Sequence, residues 1–295
     1  MTITIGVHHS NPSLLYLSRL DYANEELATV GERAAFHAYT NGVLTGDLMG
    51  HGIIDFGGTG STPPVTAQAA GHDIVYAATS APRPAHGCLL VLEDGPVRSV
   101  ADLKGSTIHL AVGSWQTHLV ATALDDVGLS YARDITAVPS GDDSEKLLRS
   151  GQIAAWVAQG AQLVAAMRTG GVHAVIPTAD VISDRSVFFA RRELIEQRPE
   201  AVAALLRALQ RADDWAAAHP REAAEIAAEV RGGAVDDWET ALRSLPWRIE
   251  PVTKAFLAEQ QQAADIFARL GVIERPITVA EATVQTRRNN GHHTP

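Results

Sequence analysis

Short apolar runs bounded by Gly, Pro or Asp recur through the first two thirds of the chain, with stretches of helical period between them. The runs 2–7, 53–57, 73–78, 88–92, 107–112, 153–158, 172–176 and 187–190 predict strands. Most are continuously apolar rather than alternating, as in strands whose sheet is covered on both faces. Helices are predicted over 115–127, ended by Gly128, and over 143–149, ended by Gly151. Strands taking turns with helices argue for an α/β fold with mainly parallel sheets.

The last third changes character. Pro199 opens a helix with Val202, Leu205, Leu206, Leu209 and Ala216 on one stripe, and Pro220 opens another that is rich in alanine. Phe256, Ala263, Phe267 and Leu270 mark a third, closed by Gly271. Only the tail 287–295 reads as frayed. No Gly/Ser/Pro-rich linker divides the chain, so two lobes joined by short crossovers are expected. The crossovers fall at 79–84 (TSAPRP) and 179–186 (ADVISDRS). They set one discontinuous lobe at 1–82 and 184–295 and a second at 83–183.

Composition narrows the partners. Lys and Arg number 24 against 34 Asp and Glu, a net charge of −10. That balance argues against nucleic acid, whose binding needs clustered cations. No stretch approaches the roughly 18 apolar residues of a membrane span, so a soluble protein without membrane insertion is expected. The start of the chain lacks the basic, apolar pattern of a secretory signal. As given, the sequence is expected to be cytoplasmic; the alternative is an exported protein whose leader has been removed. The one cysteine, Cys88, excludes an internal disulfide and sits in an apolar run, as a small core residue would.

Three turns carry the candidate chemistry: His8-His9-Ser10-Asn11-Pro12-Ser13, Gly57-Gly58-Thr59-Gly60-Ser61-Thr62-Pro63-Pro64, and Gly113-Ser114-Trp115-Gln116-Thr117-His118. Each sits where a strand hands over to a helix. Backbone N–H groups at a helix start, helped by hydroxyls, hold an anion without a formal cation. In open α/β sheets, ligands collect at the carboxyl ends of strands. Ordinary N-capping explains any one such turn. Three together, two of them with glycine, point to a ligand cleft. Trp115 and Trp156, near strand ends, are candidate ligand walls, while Trp215, Trp238 and Trp247 read as packing residues.

Other chemistries find no support. No P-loop, dinucleotide or GxSxG pattern is present, and no HxH or HExxH spacing gathers the 12 histidines around a metal. Neither a metal nor another cofactor is expected.

The stretch from Ile54 to Pro64 (IDFGGTGSTPP), followed by Ala67-Gln68-Ala69-Ala70-Gly71, resembles the substrate-binding proteins of ABC importers of the aliphatic sulfonate, taurine and nitrate type. The match runs on through Ser99-Val100-Ala101-Asp102-Leu103-Lys104-Gly105, Gly113-Ser114 and Ser150-Gly151-Gln152-Ile153-Ala154-Ala155-Trp156. The resemblance implies a periplasmic-binding-protein-like fold of type II, two α/β lobes and a helical C-terminal block closing on ligand like a hinge. It implies a sulfonate-like group at the N–H groups of the three turns. Contacts carried over by position are Ser10, Asn11, Thr59 to Thr62 and Ser114 to His118, with His8, His9 and Trp156 beside them. An ABC permease is the implied partner if the protein is exported.

The same fold hosts aryl sulfinate desulfinases, which the Phe56-Gly57-Gly58 stretch also resembles. Where that family carries its nucleophilic cysteine this chain has His9 and Ser10, and Asp55 stands where an arginine would precede the glycines. The alternative function is therefore a cytoplasmic lyase or hydrolase acting on a small acidic or sulfur-containing molecule, with His8 or His9 as acid–base group.

Overall fold

The computed structural model describes residues 1–284; the predicted fraying of 287–295 lies outside the described residues. The strands are β1 (Thr2–His8), β2 (Arg33–Tyr39), β3 (Phe56–Thr59), β4 (Ile74–Ser80), β5 (Gly87–Leu92) and β6 (Ser106–Leu110). They continue as β7 (Ile135–Pro139), β8 (Ala155–Gln159), β9 (Val172–Pro177), β10 (Val187–Arg191) and the short β11 (Ile249–Glu250). The helices begin with α1 (Pro12–Arg19), α2 (Tyr22–Ala28), α3 (Thr45–Gly50), α4 (Thr62–Ala69), α5 (Trp115–Asp126) and α6 (Ser144–Arg149). After α7 (Gly160–Thr169) and α8 (Arg192–Gln197) come α9 (Pro199–Ala218), α10 (Pro220–Arg231), α11 (Val235–Arg243) and α12 (Lys254–Arg269).

These elements build two sheets. One has the order β11-β4-β10-β3-β1-β2, the other β7-β6-β8-β5-β9. The chain leaves the first sheet after β4, enters the second at β5, and returns to the first at β10. The sheets are mixed, not mainly parallel as the strand–helix alternation suggested. β1 pairs in parallel with β2 and β3, and β6 with β7 and β8. β10 runs antiparallel between β3 and β4, and β5 antiparallel between β8 and β9. The reason lies in the crossovers: β5 and β10 each arrive from the opposite sheet, so no helical return on the same sheet sets their direction.

The missed strands are the edges. β2 (RAAFHAY) and β7 (ITAVP) are half-exposed, so neither shows an apolar run. The predicted strand 53–57 begins later, at Phe56, because Asp55 turns back to Thr4, its carboxylate accepting from the Thr4 N–H at 2.9 Å.

Each sheet has its own core. Ile3, Ile5, Phe56 and Phe188 pack with Leu14, Leu17, Leu205 and Leu209 of the surrounding helices. Leu89, Ile108, Leu110, Leu119, Leu124 and Val157 form the core on one side of the second sheet. The C-terminal helices do not stand apart. Phe256 and Phe267 of α12 share a buried cluster with Val65 and Tyr76 of the first lobe and Ala121 of α5 in the second. This cluster ties the two halves along one flank of the gap between the sheets. Burial of this much apolar area supplies the main stabilisation, roughly 1.5–3 kcal/mol per large side chain. Among the described residues, no helix is long and apolar enough to cross a membrane.

Candidate functional site

The ends of β1, β3 and β6 run into the starts of α1, α4 and α5, so the three polar turns converge between the sheets. They border a cavity of 240 Å³. Ser10 and Asn11 come from the first turn, Thr59 and Gly60 from the second, Ser114 and Trp115 from the third, and His8 from the end of β1. The approach is close enough to demand glycine: a Cβ on Gly60 would stand 2.7 Å from the Trp115 Cβ.

The rest of the predicted set supports this lining from behind. Ser61 Oγ bonds His118 Nδ1 at 2.9 Å, and the Thr62 hydroxyl donates to the Ser114 carbonyl at 2.7 Å, both across the gap between the lobes. Thr117 Oγ1 accepts from the Gly113 N–H at 2.8 Å, and the Gln116 carbonyl oxygen accepts from the Ala111 N–H at 2.6 Å. These side chains shape the third turn rather than face the cavity. His9 is exposed and outside the lining.

Trp156 is a correction. It is 2% exposed and packed with Cys88, Leu90, Leu148 and Ala158, away from the cavity. The pleat of β8 explains it, since alternate residues face opposite sides and Ala155 and Val157 take the other core. Gln159, in step with Ala155 and Val157 but at the end of the strand, reaches the cavity, where it accepts from Trp115 Nε1 and Gln116 Nε2, each at 3.1 Å.

Capping and cavity-facing roles are mixed within each turn. The Ser114 hydroxyl oxygen accepts from the Gln116 N–H at 3.1 Å and Asn11 Oδ1 from the Leu14 N–H at 3.1 Å, both N-caps. Pro12, Pro63 and Pro64 carry no N–H, so α1 and α4 offer fewer donors than ordinary helix starts. Among the described residues, no acceptor takes the N–H of Gly60, Ser61 or Trp115. Gly60 and Trp115, one from each lobe, line the cavity, and so does Ser10, whose N–H likewise meets no acceptor among the described residues.

The crossovers add groups with no local sequence signal. Arg83, on the first, donates through Nη2 to Asp184 Oδ1 on the second at 2.9 Å, and through Nη1 to Ser186 Oγ at 3.2 Å. His86 Nδ1 lies 2.7 Å from Asp184 Oδ2. Burial raises the Asp184 carboxyl, but Arg83 and His86 outweigh it and hold the group below its ordinary value. Burial, with Arg83, depresses His86 against the pull of Asp184. The cluster is therefore a neutral imidazole donating Nδ1–H to an ionised carboxylate that also pairs Arg83. Asp184 adopts φ 38°, a left-handed turn that Asp tolerates better than most residues and that aims its carboxylate at both partners.

His8 is neutral as well. Burial lowers it to about 4. Its Nε2 lies 2.9 Å from the Gly58 carbonyl, so that nitrogen carries the proton and donates. Nδ1 is left as a buried acceptor without a protein partner. Among the described residues no three His, Cys, Asp or Glu side chains group as metal ligands do. Cys88 is buried in the second lobe, its thiol pushed up to about 12 by burial, and does not line the cavity.

Comparison with known proteins agrees with this architecture. A protein of Escherichia coli strain K12 named for binding aliphatic sulfonates is 28% identical over 246 residues, covering 83% of this chain and 77% of the relative. The solved periplasmic aliphatic sulphonate binding protein SsuA from Escherichia coli superposes with a TM-score of 0.86 at 25% identity, covering 100% of this chain and 95% of that one. The desulfurization enzyme DSZB shares the fold alone, with a TM-score of 0.64 at 17% identity and 96% of each chain covered. The family described as NMT1/THI5 like matches residues 34–223. That span is well over half of the sequence, and the chain belongs to the NMT1/THI5-like family.

Proposed function

We propose that the protein binds a small organic sulfonate in the cavity between its two sheets, as the substrate-binding component of an ABC importer. The observation that carries the reading is the set of N–H donors at Ser10, Gly60 and Trp115, one from each turn and drawn from facing lobes around one cavity. A sulfonate spreads one charge over three oxygens and stays ionised at any working pH. Dispersed N–H and hydroxyl donors suit it, because they satisfy the oxygens without a dedicated counter-ion. Arg83 is already neutralised by Asp184, so the donors rather than a salt bridge do the recognising. The relatives named for aliphatic sulfonates support this choice of anion. Enclosure between the lobes excludes water and strengthens each contact.

Calorimetry with butanesulfonate tests the reading. Wild type binds it, and Thr59→Val weakens it by about 1–3 kcal/mol, the scale of a hydrogen bond to a charged group. Absence of binding to every alkanesulfonate tried, or unchanged affinity in the variant, would sink it. A permease that docks the closed form is the partner this function requires.

A further inference from the structure

A second cavity, of 220 Å³, adjoins the first and shares Ser10 and His86 with it. Its wall is largely apolar, with Leu163 and Val164 from α7 facing Trp238 and Leu242 of α11. The lobes touch here too: a Cβ on Gly160 would stand 3.0 Å from the Trp238 ring, and Arg168 Nη2 donates to Asp237 Oδ2 at 3.0 Å. Trp238, read from the sequence as a packing residue, is thus also a cavity wall.

One cation enters this apolar space. Arg231, the last residue of α10, lays its guanidinium 4.6 Å from the centroid of the Trp238 ring. Among the described residues the only group raising its pKa is the Tyr16 hydroxyl, no carboxylate doing so, and 285–295 include no Asp or Glu. Burial alone pushes the guanidinium down to about 10, and its charge depresses both His8 and His86 in the first cavity. The contrast with Arg83 is plain. Arg83 has a carboxylate, two hydrogen-bonded oxygens and no charge to spare, whereas Arg231 has an aromatic face. A cation–π contact offsets only part of the cost of burying an arginine.

We propose that Arg231 receives a carboxylate at the far end of the ligand. The preferred ligand is then an ω-sulfoalkanoate, with its sulfonate at the three turns, its methylene body along Leu163, Val164 and Leu242, and its carboxylate on the guanidinium fork. The inference rests on the sulfonate reading above and adds a second charge to it. Arginine presents paired donors that match a carboxylate's two oxygens, which makes the second acidic group a feature the site can select.

Calorimetry with ω-sulfobutanoate and ω-sulfohexanoate, against butanesulfonate and hexanesulfonate, separates the two claims. Wild type should prefer one of the carboxylated ligands by about tenfold or more. In Arg231→Met, which keeps an apolar stem over Trp238, that preference should vanish while alkanesulfonate affinity is retained. Arg231→Gln serves the same purpose if the methionine variant does not fold. Equal binding of both series by wild type, or a preference that survives both substitutions, overturns the role of Arg231 and leaves the sulfonate reading standing. Failure of wild type to bind either series overturns the sulfonate reading, and this inference with it.

Discussion

Asp213 is a buried acid that the cavity does not use. It lies in α9, 1% exposed, with Oδ1 unpartnered, and burial raises it from 3.8 to about 7 against the pull of the Ser13 hydroxyl. The folded state therefore holds this proton where the unfolded chain has released it. Its contribution is fully present below about pH 4 and is lost as pH rises through about 7, at up to about 1.4 kcal/mol per pH unit. Asp213→Asn should remove this falling component and raise stability above pH 7. Urea unfolding of both proteins across that window checks it, and identical pH profiles would refute it. Nothing in the sequence marks Asp213, because a carboxylate in a helix reads as a solvated residue until packing encloses it.

At the scale of elements, the three strand-to-helix turns were legible because Ser, Thr and Gly gather there for local reasons of capping and backbone freedom. Which atoms they keep for themselves was not. Ser114 and Asn11 spend their side-chain oxygens on caps, and the prolines of α1 and α4 remove donors that a bare helix start would offer. Gly60 matters through its missing side chain. Gly60→Ala would drive its Cβ to 2.7 Å from Trp115 and push the α4 and α5 turns apart. The expected outcome is a stability loss of about 1–3 kcal/mol from overpacking, with weaker butanesulfonate binding as the donors separate. Calorimetric affinity at the wild-type value would show that the turns do not close on the ligand together.

Across the whole molecule, the two halves are held by contacts that titrate. His118 on α5 bonds Ser61 of the other lobe at 2.9 Å, with its ring edge-on to Phe267 of α12. Burial lowers both His118 and His8 to about 4 from 6.5. A depressed histidine stabilises the fold fully above its unfolded pKa, and that contribution drains as pH falls through the folded one. Each should cost on the order of 3 kcal/mol by the time pH is below about 4. His118→Gln keeps a polar partner for Ser61 and should flatten the acid limb between pH 6.5 and about 4. Thermal melts across this range check it; an acid limb as steep as in wild type would place the sensitivity elsewhere.

By itself the sequence determined the α/β class, the interior strands, the helical last third, the three turns and the family resemblance. Each is written in local periodicity, in capping residues or in contiguous motifs, and such signals survive without knowledge of the rest of the chain. The edge strands β2 and β7 escaped because half-exposed strands lack an apolar run. Only the tertiary structure decided which faces point inward. Trp156 and Gln159 stand three positions apart on one strand, yet one is core and the other cavity wall. The electrostatics were decided there too. Arg83 meets Asp184 only because two crossovers run side by side, and Arg231 reaches the cavity only because α11 packs against both α10 and α7. Charge pairing and its absence are properties of distance in space, and no spacing along the chain encodes them.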